Sequence, residues 1–230
     1  MKTTIVKVTM ATIITGSTLL TGVTVGAATK QEKKVTTQYQ TLKAGMTIEQ
    51  AAKVLYGKTY KKQLMKKNGM TIFKKQPFTT SDTLGQKSTA YSFSEKYEVM
   101  PLDVTTLIFM TKKNGSVYRL TSKSLDFLRL SSTGLRESKM KLVKGKTIKK
   151  GMTEKQLDAV LSGKGLGEWM GLDSIDMSSI QSKKELEAGV GIKSEVKTYV
   201  FPTSTKQKKI VMLDYDFKKK TYVVSTQTSL

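Results

Sequence analysis

The sequence predicts an α+β protein of two tandem domains, each a short helical N-terminal part packed on an antiparallel β-sheet. Three observations carry that expectation: an internal repeat at a constant spacing of 106 residues, a capped amphipathic helix opening each copy, and alternating strand-forming runs closing it. Residues 42–58 (LKAGMTIEQAAKVLYGK) align without a gap on residues 148–164 (IKKGMTEKQLDAVLSGK). The expected organisation is a signal peptide over 1–28, a flexible basic N-terminus over 29–40, a first copy over 41–139 and a second over 140–230. Each copy holds about 100 residues, enough for a core of its own.

Taken in order, the first segment stands apart from the fold. Lys2 and Lys7 precede a charge-free stretch from Val8 to Ala28, which ends in small residues at Val25-Gly26-Ala27 or Gly26-Ala27-Ala28. That is the pattern of a cleaved secretory signal, and it implies a secreted protein, possible cell-wall association included. A retained anchor is the alternative; the Thr and Gly content of the stretch argues against a permanent span, and no Cys follows to carry a lipid. With no Cys anywhere, an exported chain relies on core packing in place of disulfides.

Each repeated segment reads as a helix of about three turns, too short to stand without docking. Thr47 and Thr153 are N-caps, and Gln50 and Gln156 three residues on can complete capping boxes. Met46 and Met152 are placed to staple onto Ala51 and Leu157. Ala51, Val54 and Leu55, matched by Leu157, Val160 and Leu161, form one apolar face, and Gly57 and Gly163 supply the stops. Strands follow at residues 89–94 and 105–122, the latter a hairpin turning at Asn114-Gly115. In the second copy they are expected at 196–202, 209–217 and 221–227, with a turn at Lys218-Lys219-Lys220. Tyr118 matches Tyr222, and Tyr91-Ser92-Phe93 matches Tyr199-Val200-Phe201.

The Gly-Met-Thr opening, the Ala/Leu and Val/Leu-Leu positions, the closing Gly and the antiparallel strands that follow resemble the β-lactamase inhibitor protein family and the related SmpA/OmlA-type outer-membrane assembly lipoproteins. The tandem arrangement is more similar to the inhibitors. The match is specific over about 17 residues per copy and loose over the strands. The resemblance implies two α+β domains whose sheets lie side by side as a surface that grips a protein.

Charge is the second informative feature. The chain carries 40 Lys+Arg against 18 Asp+Glu, a formal net charge of +22, with 38% hydrophobic residues, as expected of a folded chain. Lys61, Lys62, Lys66, Lys67, Lys74 and Lys75 fall in an acid-free stretch, and Lys144, Lys146, Lys149 and Lys150 crowd the junction of the copies. Two readings stand: a solubilising surface, or attraction to a polyanion such as teichoic acid, anionic lipid headgroups or nucleic acid. Arg119, Arg129 and Arg136 are the only arginines, so bidentate reading of phosphates or guanine edges is scarcely available and sequence-specific nucleic-acid binding is not expected. An anionic cell-wall polymer is the expected partner of the lysines.

The absence of His and Cys removes imidazole and thiolate chemistry, zinc sites built from those residues, and a histidine base. No cofactor or metal site is expected. The residues 163–167 (GKGLG) follow a helix instead of opening one and read as an irregular connection. Glu168, Asp173 and Asp176 surround Trp169 in what reads as a solvated loop, with Trp169 either a packing residue or a binding anchor. Alternation puts Val211, Leu213, Tyr215 and Phe217 toward the core and Ile210, Met212, Asp214 and Asp216 on the other face. Ile108, Met110, Met212, Asp214 and Trp169 are therefore the candidate protein interface, open to a partner or else covered by a loop or by the neighbouring copy. The expected function is a non-enzymatic module that binds an unidentified protein through a sheet, held at the anionic envelope by its lysines. Polyanion binding alone, or a wall hydrolase using carboxylates, are the alternatives.

Overall fold

A computed structural model of the protein describes residues 30–94, 103–128, 135–189, 191–203 and 207–230. The predicted signal peptide and Arg129 lie outside these. Helices α1 (Lys30–Thr41), α2 (Ile48–Tyr56), α3 (Glu154–Leu161) and the short α4 (Lys183–Glu187) accompany ten strands. Both predicted capping boxes form: the Thr47 and Thr153 hydroxyls each accept from the Gln three residues on at 3.3 Å, and each Gln returns its amide oxygen to the cap N–H at 2.8 and 2.9 Å. Gly57 ends α2, after which a 3-10 turn runs through Gln63; Ser162 and then Gly163 end α3.

After α2 comes a small hairpin of β1 (Leu64–Lys67) and β2 (Met70–Phe73). Its turn is Asn68-Gly69, both with positive φ as a two-residue type I′ turn requires. The remaining strands are β3 (Thr79–Thr83), β4 (Gln86–Ser94), β5 (Asp103–Met110), β6 (Arg119–Phe127), β7 (Gly171–Asp176), β8 (Lys193–Pro202), β9 (Lys208–Asp216) and β10 (Thr221–Ser229). They form one antiparallel sheet in sequence order from β3 to β10, each strand pairing with the next. The molecule is thus α+β, with a small helical part on a large antiparallel sheet.

The same local devices recur in the two halves of this sheet. The segment before α2 clamps β6 through Gly45 N–H to Leu120 O and Leu120 N–H to Met46 O, both 2.8 Å. The segment before α3 clamps β10 through Gly151 N–H to Val224 O at 2.7 Å and Val224 N–H to Met152 O at 2.8 Å. The register of β5 with β6 slips at Thr121 and that of β9 with β10 at Ser225; each bulged hydroxyl donates to the strand it faces, at Ile108 O and Met212 O, both 3.2 Å. Just beyond, Lys123 Nζ donates to Leu42 O and Gln227 Nε2 to Ile148 O, both 2.8 Å.

All helices whose apolar faces are buried sit on one side of the sheet. Ile48, Ala51 and Ala52 of α2 pack with Phe73, Tyr91, Leu107, Phe109 and Leu120. Leu157 and Leu161 of α3 pack with Tyr199, Phe201, Val211, Leu213 and Val224. A third cluster closes the seam between them, where Val35 and Tyr39 of α1 meet Leu125, Phe127 and Leu172.

Two sequence expectations are corrected here, and Trp169 takes the packing role of the two open to it. Residues 29–40 are read from their charge as a flexible tail, yet the chain is helical over Lys30–Thr41. Glu32, Val35 and Tyr39 share one face of α1 and are buried, while Lys123 Nζ takes the Tyr39 carbonyl at 2.7 Å near its end. Trp169 is no exposed anchor: it packs against both the α3 core and the seam, its ring 4.8 Å from Phe127. Asn114-Gly115 does not close a two-residue hairpin, because the chain past Met110 stays bonded to the start of β4. Thr111 N–H reaches Lys87 O at 2.9 Å and Asn114 N–H reaches Gly85 O at 2.7 Å, so β6 begins only at Arg119.

Candidate functional site

The face of the sheet turned away from the helices is built by strand alternation and register. One row crosses it with a residue from each of the seven strands β4 to β10: Ser92, Thr106, Ser124, Asp173, Val196, Asp214 and Val223, each directly opposite the next. Flanking rows add Ile108 and Ser122 on one side and Val104, Asp126, Gly171, Thr198 and Met212 on the other. Most of these are half-buried, with Thr198 more deeply enclosed and Asp214 exposed.

Of the predicted interface residues, Ile108 and Met110 lie together on β5, and Met212 and Asp214 together on β9. Strands β6, β7 and β8 separate the two groups, so they stand about 19 Å apart at the ordinary spacing of strands. The intervening surface was not legible as a face. Its middle comes from β7, a six-residue strand inside the stretch that reads as an acidic loop around Trp169. The alternation in Gly171-Leu172-Asp173-Ser174-Ile175-Asp176 is the signal that identifies it: Leu172 packs into the seam, and Asp173 and Ile175 face away.

This strand also disperses the predicted acidic cluster. Glu168 accepts from Arg136 Nη2 at 3.2 Å beneath the sheet, and that guanidinium stacks over Phe127 with its central carbon 4.6 Å from the ring centre. Asp176 accepts from Ser178 Oγ at 2.6 Å and pairs with Lys193 at 3.4 Å. Asp173 instead meets Asp126, its diagonal neighbour on β6. Asp126 receives Ser124 Oγ at 3.4 Å and occupies room left by Gly171, where a Cβ would stand 2.8 Å from its Oδ1. Burial holds the Asp126 carboxyl above the usual carboxylate range. Burial, reinforced by the Asp126 charge, pushes Asp173 up to about 6. Neither carboxylate has a basic partner among the described residues. Ser225 Oγ donates to Asp214 Oδ1 at 2.9 Å further along the same face. Among the described residues no group of three or more potential metal-ligating side chains occurs.

Most basic side chains are elsewhere. Across the eight strands, alternation puts only two basic residues on this face: Arg119, opposite Met110 and donating from Nη1 to Gly45 O at 3.1 Å, and Lys208, whose ammonium is paired with Glu137. Lys61 and Lys62 lie on the turn after α2, Lys66 and Lys67 on β1, and Lys74 and Lys75 just past β2, all exposed. Lys144, Lys146, Lys149 and Lys150 are exposed on the segment leading to α3. The polyanion candidates therefore form two groups, one on the β1–β2 hairpin and one beside α3. No helix among the described residues is long and apolar enough to cross a membrane. No family model, curated protein or solved structure matches the chain.

Proposed function

We propose that the chain is a non-enzymatic, secreted binding module of two tandem inhibitor-like units, whose helix-free sheet face takes a protein partner. The observation that carries this reading is the segregation of charge. In a chain of net charge +22, the described residues place only two basic side chains on one face of the eight-stranded sheet, Arg119 bonded to Gly45 O and Lys208 paired with Glu137, and furnish that face with Ile108, Met110, Val196, Met212, hydroxyls and three aspartates. Lysines spread for solubility alone have no reason to avoid one face of a sheet. A half-apolar surface with unpaired carboxylates fits a partner of neutral or basic chemistry, which relieves the Asp126–Asp173 repulsion on docking. The exposed lysines on the β1–β2 hairpin and beside α3 favour a second, weaker attraction, to an anionic cell-wall polymer.

Capture from cell-envelope extract at low and high salt separates the two attractions. The expected result is a discrete protein retained at high salt by the wild type and by a variant with Lys61, Lys62, Lys66 and Lys67 changed to Gln, and lost by Ile108→Lys/Met212→Lys. If all retained material is polymer that salt removes and the Gln variant fails to hold, the lysine surface is the functional element and the sheet-face reading is wrong.

A further inference from the structure

The two halves of the sheet differ in one respect that their shared geometry makes conspicuous. Past its bulge at Thr121, β6 carries β7 along Ser122 to Asp126. Past the matching bulge at Ser225, β10 has the same clamp behind it and no strand beside it among the described residues. The main-chain direction is settled by alternation: Leu230 N–H bonds inward to Lys208 O at 2.9 Å, so the N–H and C=O groups of Gln227 and Ser229 point off the edge. Their counterparts Lys123 and Leu125 are the residues that face Ser174 and Leu172 of β7.

The opposite edge is the natural complement. β3 holds in the first meander the place that β7 holds in the second: Thr79 is opposite Ala90 as Gly171 is opposite Thr198, next to the corresponding Tyr91 and Tyr199. β3 is exposed along its whole length. Among the described residues, neither edge is covered by another element, and neither carries the lysines or prolines that commonly guard an edge. In a chain with 40 Lys+Arg, no basic residue and no proline falls within Thr79–Thr83 or Thr221–Ser229.

We propose that the molecule associates head to tail, β10 of one copy receiving β3 of the next in the register by which β6 receives β7. Superposing that register sets Ser229 opposite Thr80, Thr228 opposite Ser81, Gln227 opposite Asp82 and Thr226 opposite Thr83. Hydroxyl-bearing pairs of this kind are favourable across strands. Asp82 comes to lie against Gln227, whose side-chain oxygen already accepts from Lys209 Nζ at 3.0 Å, so an opposite charge awaits it. The contact is heterologous and does not close on itself, so it builds open chains with a continuous sheet. Each link is short and the copies repel through their net charge, so association is weak at low salt and strengthens as salt screens that repulsion.

The register makes the test specific, because the chain has no cysteine. Thr228 and Ser81 fall at a non-hydrogen-bonded pair, where Cα atoms approach to about 4.5 Å, within disulfide reach. Thr228→Cys and Ser81→Cys proteins, mixed and mildly oxidised, are expected to yield several-fold more disulfide-linked dimer than either variant alone, and more at high salt than at low. The wild type is expected to sediment faster as concentration and salt rise. Dimer formed by Thr228→Cys alone, equal to that in the mixture, would mean that two β10 edges meet and would overturn the head-to-tail register. Absence of cross-linking together with concentration-independent sedimentation would overturn self-association itself.

Discussion

At the scale of single residues, Asp173 is where the physics is most exposed to measurement. Its carboxyl titrates near 6 in the folded chain, against an ordinary value of 3.8. The folded state therefore holds a proton that the unfolded state has released, and this group's contribution to stability declines as pH rises from about 4 to 6. Asp173→Asn removes the charge while keeping the shape. Because solvent still reaches the site, the expected gain at pH 7 is on the order of 1 kcal/mol, shrinking toward zero near pH 4. Urea midpoints at the two pH values read it directly, and a variant that shadows the wild type at both would mean that Asp173 is not strained. Only the pairing of β6 with β7 brings Asp126 beside Asp173; 47 positions part them in sequence. By contrast Arg136, Glu168 and Glu32 offset one another, with Arg136 3.2 Å from Glu168 and 3.8 Å from Glu32.

At the scale of elements, the repeated helices test how far local chemistry reaches. Thr47→Ala and Thr153→Ala each remove one hydroxyl acceptor from a capping box and should each cost about 1 kcal/mol by chemical denaturation. Since the two caps share no partner, their effects should add in the double variant; strong non-additivity would show that α2 and α3 are coupled. Caps and apolar spacing were legible because they depend on residues three or four apart. The β1–β2 hairpin carried an equally local signal in Asn68-Gly69, flanked by Leu64–Lys67 and Met70–Phe73, and could have been read. Asn114-Gly115 carried the same dipeptide and does not turn a tight hairpin, since bonds to Gly85 and Lys87 outweigh its local preference. The helix α1 was hidden by its basic composition: its buried face is only Glu32, Val35 and Tyr39.

At the scale of the whole molecule, the seam decides whether the halves behave as one body. Leu125 is fully buried there against α1, and Trp169 reaches both the seam and the α3 core. Leu125→Ala should lower stability by about 3 kcal/mol. Trp169 fluorescence and far-ultraviolet circular dichroism should report coincident unfolding transitions in the wild type. Two separated transitions would mean that each half holds its own core and the seam contributes little. The distribution of charge also belongs to this scale: lysines occupy loops, the small hairpin and the helical side, leaving the opposite sheet face nearly free of them.

From the sequence alone came the α+β class, both capped helices, the strands from β8 to β10 and, for Val211 and Leu213, which side of β9 meets the core; Phe217, expected on that side, is exposed just past the strand. All of these rest on periodicity or on pairs of residues within one turn, where chemistry acts before folding brings distant segments together. The tertiary structure alone decided that β7 joins the meanders into one sheet, that α1 and Trp169 seal the join, and that Asp126 and Asp173 face each other across it. Such features depend on strand register, and register is an energy shared among residues far apart in the chain.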